Sequence, residues 1–146
     1  MPTILSHPAV PLAVGLGLGS GLISGRLLAA GVFFSIVPDF DVYAHLAPAG
    51  FVSGMSHRGP THSLVFALLC ALFAALIAPR LQASRLTAFW FVALATASHG
   101  FLDAFTNGGT GIEFFWPFHK EGYFTPFQPI EVSPLGIVSF FFVRGL

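Results

Sequence analysis

Three short patterns in this sequence carry residue types that bind metal ions. His99 and Asp103 stand four residues apart. On a helix they project from one side about a turn apart, which suits two ligands of one metal or a bridge between two. Pro38-Asp39-Phe40-Asp41 places two carboxylates on a sharp turn, a pattern that also serves as a helix stop with an Asx-turn. The densest pattern is His57-Arg58-Gly59-Pro60-Thr61-His62-Ser63. One histidine leads into the turn and another opens the helix that follows. Arg58 is a permanently charged fork shaped for phosphate or carboxylate, and a helix N-terminus adds a favourable field for an anion. Thr61 is expected to cap that helix.

The donors are nitrogens and carboxylates without thiolates, which suits Zn, Mn or Fe better than Cu(I) or iron–sulfur clusters. Cys70 is the sole cysteine and lies in an apolar run, so no intrachain disulfide can form. No nucleophile elbow surrounds Ser63 or Ser98. The glycines near the N-terminus precede no Lys-Ser/Thr pair of a phosphate loop.

Four apolar segments must position these residues: Pro8 to Ile23, Leu27 to Val37, Ser63 to Pro79 and Leu86 to Leu102. Ser6 is expected to cap the first, Pro38 to end the second and Asn107-Gly108-Gly109 to close the fourth. The last two segments approach the ~20 apolar residues of a bilayer span. Hydrophobic residues make up 55% of the 146 and charged residues 8%, against about a quarter charged in a soluble domain. Too little charge remains to coat a water-facing surface. The reading is a single all-α domain over residues 1–146, an integral-membrane bundle of about four helices. Six basic and six acidic side chains cancel, which leaves no patch for nucleic acid. No basic residue precedes Arg26, so the first apolar stretch is read as mature chain rather than as a cleaved signal.

Gly15/Gly19, Gly17/Gly21 and Gly21/Gly25 form GxxxG pairs, which allow close helix approach, either within the monomer or in a dimer. From Phe105 to Pro134 the chain is rich in aromatic residues, Pro and Gly and lacks periodicity. It is read as a long interfacial loop, either a surface anchor or a lid over substrate. The apolar run after Pro134 looks like a fifth helix cut short.

If the four helices alternate in direction, His7, Asp39, Asp41, His57, His62, His99 and Asp103 all fall at one end, and so does His45. Every acidic residue falls there too, including Glu113, Glu121 and Glu131. The opposite end holds Arg26, Arg80 and Arg85, which prefer the cytoplasmic side and would leave the metal face extracytoplasmic. Ionisable groups near membrane depth are costly and are usually functional.

At these residues the sequence resembles the YdjM-like family, described as LexA-binding, inner-membrane-associated, metal-dependent hydrolases. The resemblance rests on His7, Pro38-Asp39-Phe40-Asp41, His57-Arg58-Gly59-Pro60-Thr61-His62-Ser63, Ser98-His99-Gly100-Phe101-Leu102-Asp103, Thr106, Gly109 and Trp116-Pro117, in family order. It implies a multi-helix, multi-pass inner-membrane protein and metal-dependent hydrolysis. The His/Asp pattern is more distantly similar to zinc-dependent phospholipase C and P1-type nucleases, which would imply phosphoester cleavage.

The expected activity is therefore hydrolysis of a phosphoester, or a related ester, of an amphiphilic substrate by a metal-activated water. His7, Asp39, Asp41, His57, His62, His99 and Asp103 are the candidate ligands for one or two divalent ions. Arg58 is expected to steady developing negative charge and Asp41 to take part in catalysis. Thr61, Asn107 and Glu113 are expected to support the ligands from behind. Two other classes stand beside this one: a non-catalytic regulatory or scaffold protein, and a transport protein relaying ions or protons.

Overall fold

The computed structural model describes residues 6–41 and 58–130. Within them the chain forms four helices, α1 (Ala9–Leu18), α2 (Gly25–Phe34), α3 (Leu64–Leu76) and α4 (Arg85–Ala104). Short 3-10 turns at Val37–Phe40 and Pro60–His62 close α2 and introduce α3. His45, His57 and the segment after Ile130 lie outside the described residues.

The helix starts follow local chemistry. Ser24, Ser63 and Ser84 each sit in extended backbone before a helix, and each side chain accepts a hydrogen bond from an amide three residues on. That satisfies one of the four orphan donors at each N-terminus. The cap of α3 is thus Ser63 and not Thr61, whose hydroxyl is turned toward Asp41 instead. Nor does Ser6 cap α1, which begins after Pro8 without a side-chain cap.

α1 is shorter than its apolar run, because Gly19 turns into positive φ at 75° and ends it. None of the three GxxxG pairs therefore lies wholly within one helix. Close packing inside the monomer uses one glycine of these pairs, Gly15, together with Gly31. A Cβ on Gly15 would come within 2.5 Å of Leu28, and one on Gly31 within 2.4 Å of the Phe91 ring. α4 ends at Ala104, before Asn107-Gly108-Gly109, so those residues do not close it.

α3 and α4 make the most extensive helix pairing, and α2 then α1 pack onto α4. Small residues permit this closeness: Ala71, Ala74, Ala88 and Ala95 are buried, together with Leu27, Phe91 and Val92. Burying such side chains supplies most of the driving force in water, at about 25 cal/mol per Å² of apolar area.

No helix among the described residues is long and apolar enough to cross a membrane. α3 is apolar throughout, but 13 residues reach only about 20 Å against a hydrocarbon core of about 30 Å. α4 has 20 residues, but His99 and Asp103 occupy its last turns. The expectation of four bilayer spans therefore does not carry over to the described helices. The bundle's exterior is nonetheless apolar, with Leu16, Leu69, Leu72, Phe73, Leu76, Leu86 and Trp90 all exposed.

Residues 105–130 form the long irregular loop expected from the sequence. Isolated bridges within it join Thr106 to Ile130 and Ile112 to Tyr123, and the Leu64 amide donating to the Phe114 carbonyl and the Thr125 amide donating to the Ala104 carbonyl pin it to helix ends.

Candidate metal centre

The turn before α1, the 3-10 turn after α2 and the last turns of α4 meet at one end of the bundle. They bring together His7, Asp39, His99 and Asp103, all buried, with one donor atom of each lying within 4.8 Å of the others. His99 Nε2 is 3.4 Å from Asp39 Oδ1 and 3.9 Å from Asp103 Oδ2. His7 Nε2 is 3.7 Å from Asp39 Oδ2 and 3.7 Å from Asp103 Oδ1. Ligands at 2.0–2.1 Å around a tetrahedral zinc are about 3.3 Å apart. With donors spread over as much as 4.8 Å, the most distant pair would have to close by about 1.5 Å to reach that spacing.

Their present surroundings suit a cation. Among the described residues, neither nitrogen of His7 and neither carboxylate oxygen of Asp103 has a hydrogen-bond partner. A buried polar group left in that state costs about 1–3 kcal/mol, and more if it is charged. The His7 and His99 rings stack with centroids 3.6 Å apart. Burial first, and then His99, push the His7 pKa down from 6.5 to about 3. The ring is neutral at pH 7, the state that ligates metal. Burial also raises the pKa of Asp103, against the opposing pull of His99 and Arg58.

The network also sets the tautomers. His99 Nδ1 lies 2.7 Å from the Ser35 carbonyl, which can only accept, so Nδ1 carries the proton and Nε2 presents a lone pair to the cluster. This carbonyl belongs to the orphan set at the end of α2. A backbone acceptor behind a ligating histidine is a common device for orienting the ring. Thr61 Oγ1 donates to Asp41 Oδ2 at 2.9 Å and lies 3.1 Å from His62 Nδ1. With the hydroxyl proton directed to Asp41, His62 Nδ1 donates to Thr61. His62 Nε2 then also presents a lone pair, 3.1 Å from His99 Nε2 and 3.7 Å from Asp103 Oδ2. Two imidazole lone pairs and a carboxylate oxygen facing one another repel unless a cation or proton lies among them.

Arg58 is buried, with a relative exposure of 2%. Its Nη1 donates to the Gly108 carbonyl and its Nη2 to Thr106 Oγ1 at 3.1 Å, while Nε lies 3.7 Å from Asp103 Oδ2. The guanidinium is held by Asp103 and the loop. Arg58 adopts positive φ, 76°, which is strained for a residue with a side chain. Its carbonyl is held by the Glu113 amide at 3.1 Å. A side chain on Gly109, itself at φ +84°, would crowd the guanidinium at 3.1 Å.

Of the expected ligands, His7, Asp39, His99 and Asp103 form the cluster and His62 stands at its edge. Asp41 reaches His62 through Thr61, and His57 lies outside the described residues. Asn107 is exposed and Glu113 half-buried. Their backbone amides tie the loop to Ile130 and Arg58. Three contributors were not legible as such in the sequence. The Ser35 carbonyl has no side-chain signal. Thr106, quoted only as a motif residue, holds Arg58. Gly100 lets His62 approach α4, since a Cβ there would meet the His62 carbonyl at 2.9 Å.

The model of the YdjM family, described as YdjM inner membrane protein, matches residues 1–145. The chain belongs to the YdjM family. It is 41% identical over 138 residues to inner membrane protein YbcI of Escherichia coli K12, covering 94% of this chain and 80% of that protein. No solved structure is significantly similar to it. The family and this relative are named as inner membrane proteins, which places this YdjM-family chain at the membrane. The apolar exterior of the bundle is the physical counterpart of that location.

Proposed function

We propose that this YdjM-family chain is a membrane hydrolase that uses a divalent metal ion, Zn with Mn and Fe as alternatives, to cleave a phosphoester of an amphiphilic substrate. The observation that carries this reading is the convergence of His7, Asp39, His99 and Asp103 donors, two of them without hydrogen-bond partners, at one buried point. These four residues would hold one ion. When bound, it would supply Lewis acidity and a hydrolytic nucleophile near neutral pH.

The chain's own residues supply the rest. Ser35 and Arg58 hold His99 and Asp103 in their ligating orientations. His62 Nε2, fixed from behind by Thr61 and Asp41, accepts a proton from the attacking water, in the manner of a base oriented by a third group. Phe115, Phe118, Phe124 and Phe127 are exposed on the loop at this end and would meet the apolar part of an amphiphile at headgroup depth.

The test is phosphoester release by the purified full chain in detergent, with Zn or Mn added. Metal-dependent turnover is expected, with His62→Ala slowing it ~10²-fold or more, the range of a lost general base, at unchanged metal content. Absence of turnover with either ion on a panel of lipid phosphoesters would leave the protein a metal-binding scaffold instead.

Arg26, Arg80 and Arg85 are all exposed at the far end. If the chain crosses the bilayer, the positive-inside tendency would put the metal end on the extracytoplasmic side. A cysteine introduced at Asn107 should be labelled by an impermeant thiol reagent in intact spheroplasts, with buried Cys70 silent. Labelling only after lysis would reverse the orientation.

A further inference from the structure

An apolar groove of about 300 Å³ runs between α1 and α4, away from the metal centre. Val14, Leu18 and Leu22 form one wall, and Leu86, Trp90 and Leu94 the other. The α4 wall repeats every four residues, so the groove follows about 12 Å of that helix. Its walls are unusually exposed for such side chains: Leu86 is 68% and Trp90 63% exposed. The surface flanking it is apolar as well, with Leu12 and Leu16 exposed on α1.

The end of this groove is basic. The α1–α2 connection meets the α3–α4 connection there, with Ser24 Oγ donating to the Leu81 carbonyl and Arg26 Nη1 to the Arg80 carbonyl. That contact brings the Arg26 guanidinium to the Arg80 backbone, and Arg85 opens α4 immediately before groove residue Leu86. All three arginines are exposed. The acidic side chains among the described residues, Asp39, Asp41, Asp103, Glu113 and Glu121, belong to the opposite end or its loop.

We propose that this groove binds one acyl chain of an anionic phospholipid, whose phosphate is met by Arg26, Arg80 and Arg85. An apolar trough continuous with an apolar exterior, with three exposed arginines on the connections and helix start at one end, complements a lipid with an anionic headgroup. A protein helix would leave the arginines without counter-charge unless it also carried acidic residues. Arginine forks suit phosphate oxygens bidentately, and Trp at that depth is an interfacial side chain. The site is independent of the metal centre and of the hydrolase reading.

Native mass spectrometry of the full chain tests it, with the protein released from mixed micelles holding phosphatidylglycerol or phosphatidylcholine. One phosphatidylglycerol per monomer is expected to survive conditions that strip phosphatidylcholine. Arg26→Gln and Arg85→Gln should each reduce that preference about fivefold, the value of one basic residue near an anionic headgroup. Leu18→Gln with Leu94→Gln should abolish retention of either lipid. Both are surface positions, and circular dichroism would confirm that helicity survives. His99→Ala should leave retention unchanged, which separates this site from the metal centre. Retention that ignores headgroup and all of these substitutions, a lack of stoichiometric lipid, or a lipid-free dimer with a second copy on this face would each overturn the proposal.

Discussion

Asp103→Asn protein will bind Zn or Mn at least ~100-fold more weakly than the parent chain, a loss beyond the 10–100-fold typical of residues behind the ligands. Asparagine keeps the shape of the side chain and removes its charge. The buried carboxylate is the group that most needs a cation here. Neither oxygen has a hydrogen-bond partner among the described residues, Arg58 stands off at 3.7 Å, and burial raises the pKa. The same substitution should therefore leave the metal-free protein as stable at pH 7 as the parent, or more so. Replacing a buried carboxylate that lacks hydrogen bonds by a neutral isostere removes a desolvation penalty, which offsets the loss of its 3.7 Å contact with Arg58. A residue with a merely structural role would show the opposite pair of effects: lost stability and retained metal. Metal content after dialysis, read beside thermal unfolding, distinguishes the two. A folded Asp103→Asn protein with full metal content would refute the site.

Saturating the parent chain with metal should raise its unfolding temperature at pH 7.5. Metal at 100 times its dissociation constant contributes about 2.7 kcal/mol. For a chain of this size that corresponds to roughly 5–11 °C. A chelator should reverse the gain, and the gain should shrink as pH falls. The His7 pKa is depressed to about 3, so between about 6.5 and 3 the unfolded chain binds a proton that the folded chain does not. Folded stability therefore falls with acidification across that window. Asp103 runs the other way. Its folded pKa is raised, so the metal-free fold loses stability as pH climbs from 3.8 through the raised value. Metal needs Asp103 ionised, so in acid it must displace a proton there, and its stabilisation declines. Differential scanning fluorimetry with and without Zn at pH 7.5 and 5.5 reads this directly. A gain independent of pH would argue for ions on surface carboxylates in place of the buried cluster.

The sequence by itself determined the chemistry of the site and the order of the elements that carry it. Histidine and aspartate at apolar-segment ends, with no thiolate partner, restrict the donors to nitrogen and oxygen. The i,i+4 spacing of His99 and Asp103 is enough to place both on one side of α4, because helix geometry is local. Alternation of short-linked helices is enough to send His7, Asp39, His62 and His99 to one end. The caps at Ser24, Ser63 and Ser84 are also local, but the caps expected from the pattern were Ser6, which does not cap α1, and Thr61 in place of Ser63. Both hydroxyls suit the role, and Thr61 is drawn away by Asp41, a partner distant in the chain.

What only the tertiary structure decided is which of those donors share one point and which stand behind them. Nothing local distinguishes Asp39, in the cluster, from Asp41, two residues on, which acts through Thr61 on His62. That difference arises from the path of one 3-10 turn against another. Arg58 reads in sequence as a charged fork for an anion, and in the fold it is a buried brace because Thr106 and Gly108 come round the loop to meet it. Element lengths were also beyond the sequence pattern. Hydropathy runs through Gly19 without a break, but the backbone at positive φ does not, so an apolar stretch became a ten-residue helix. Local propensity and periodicity set the inventory. Long-range packing, where backbone carbonyls such as that of Ser35 count as much as side chains, set the geometry.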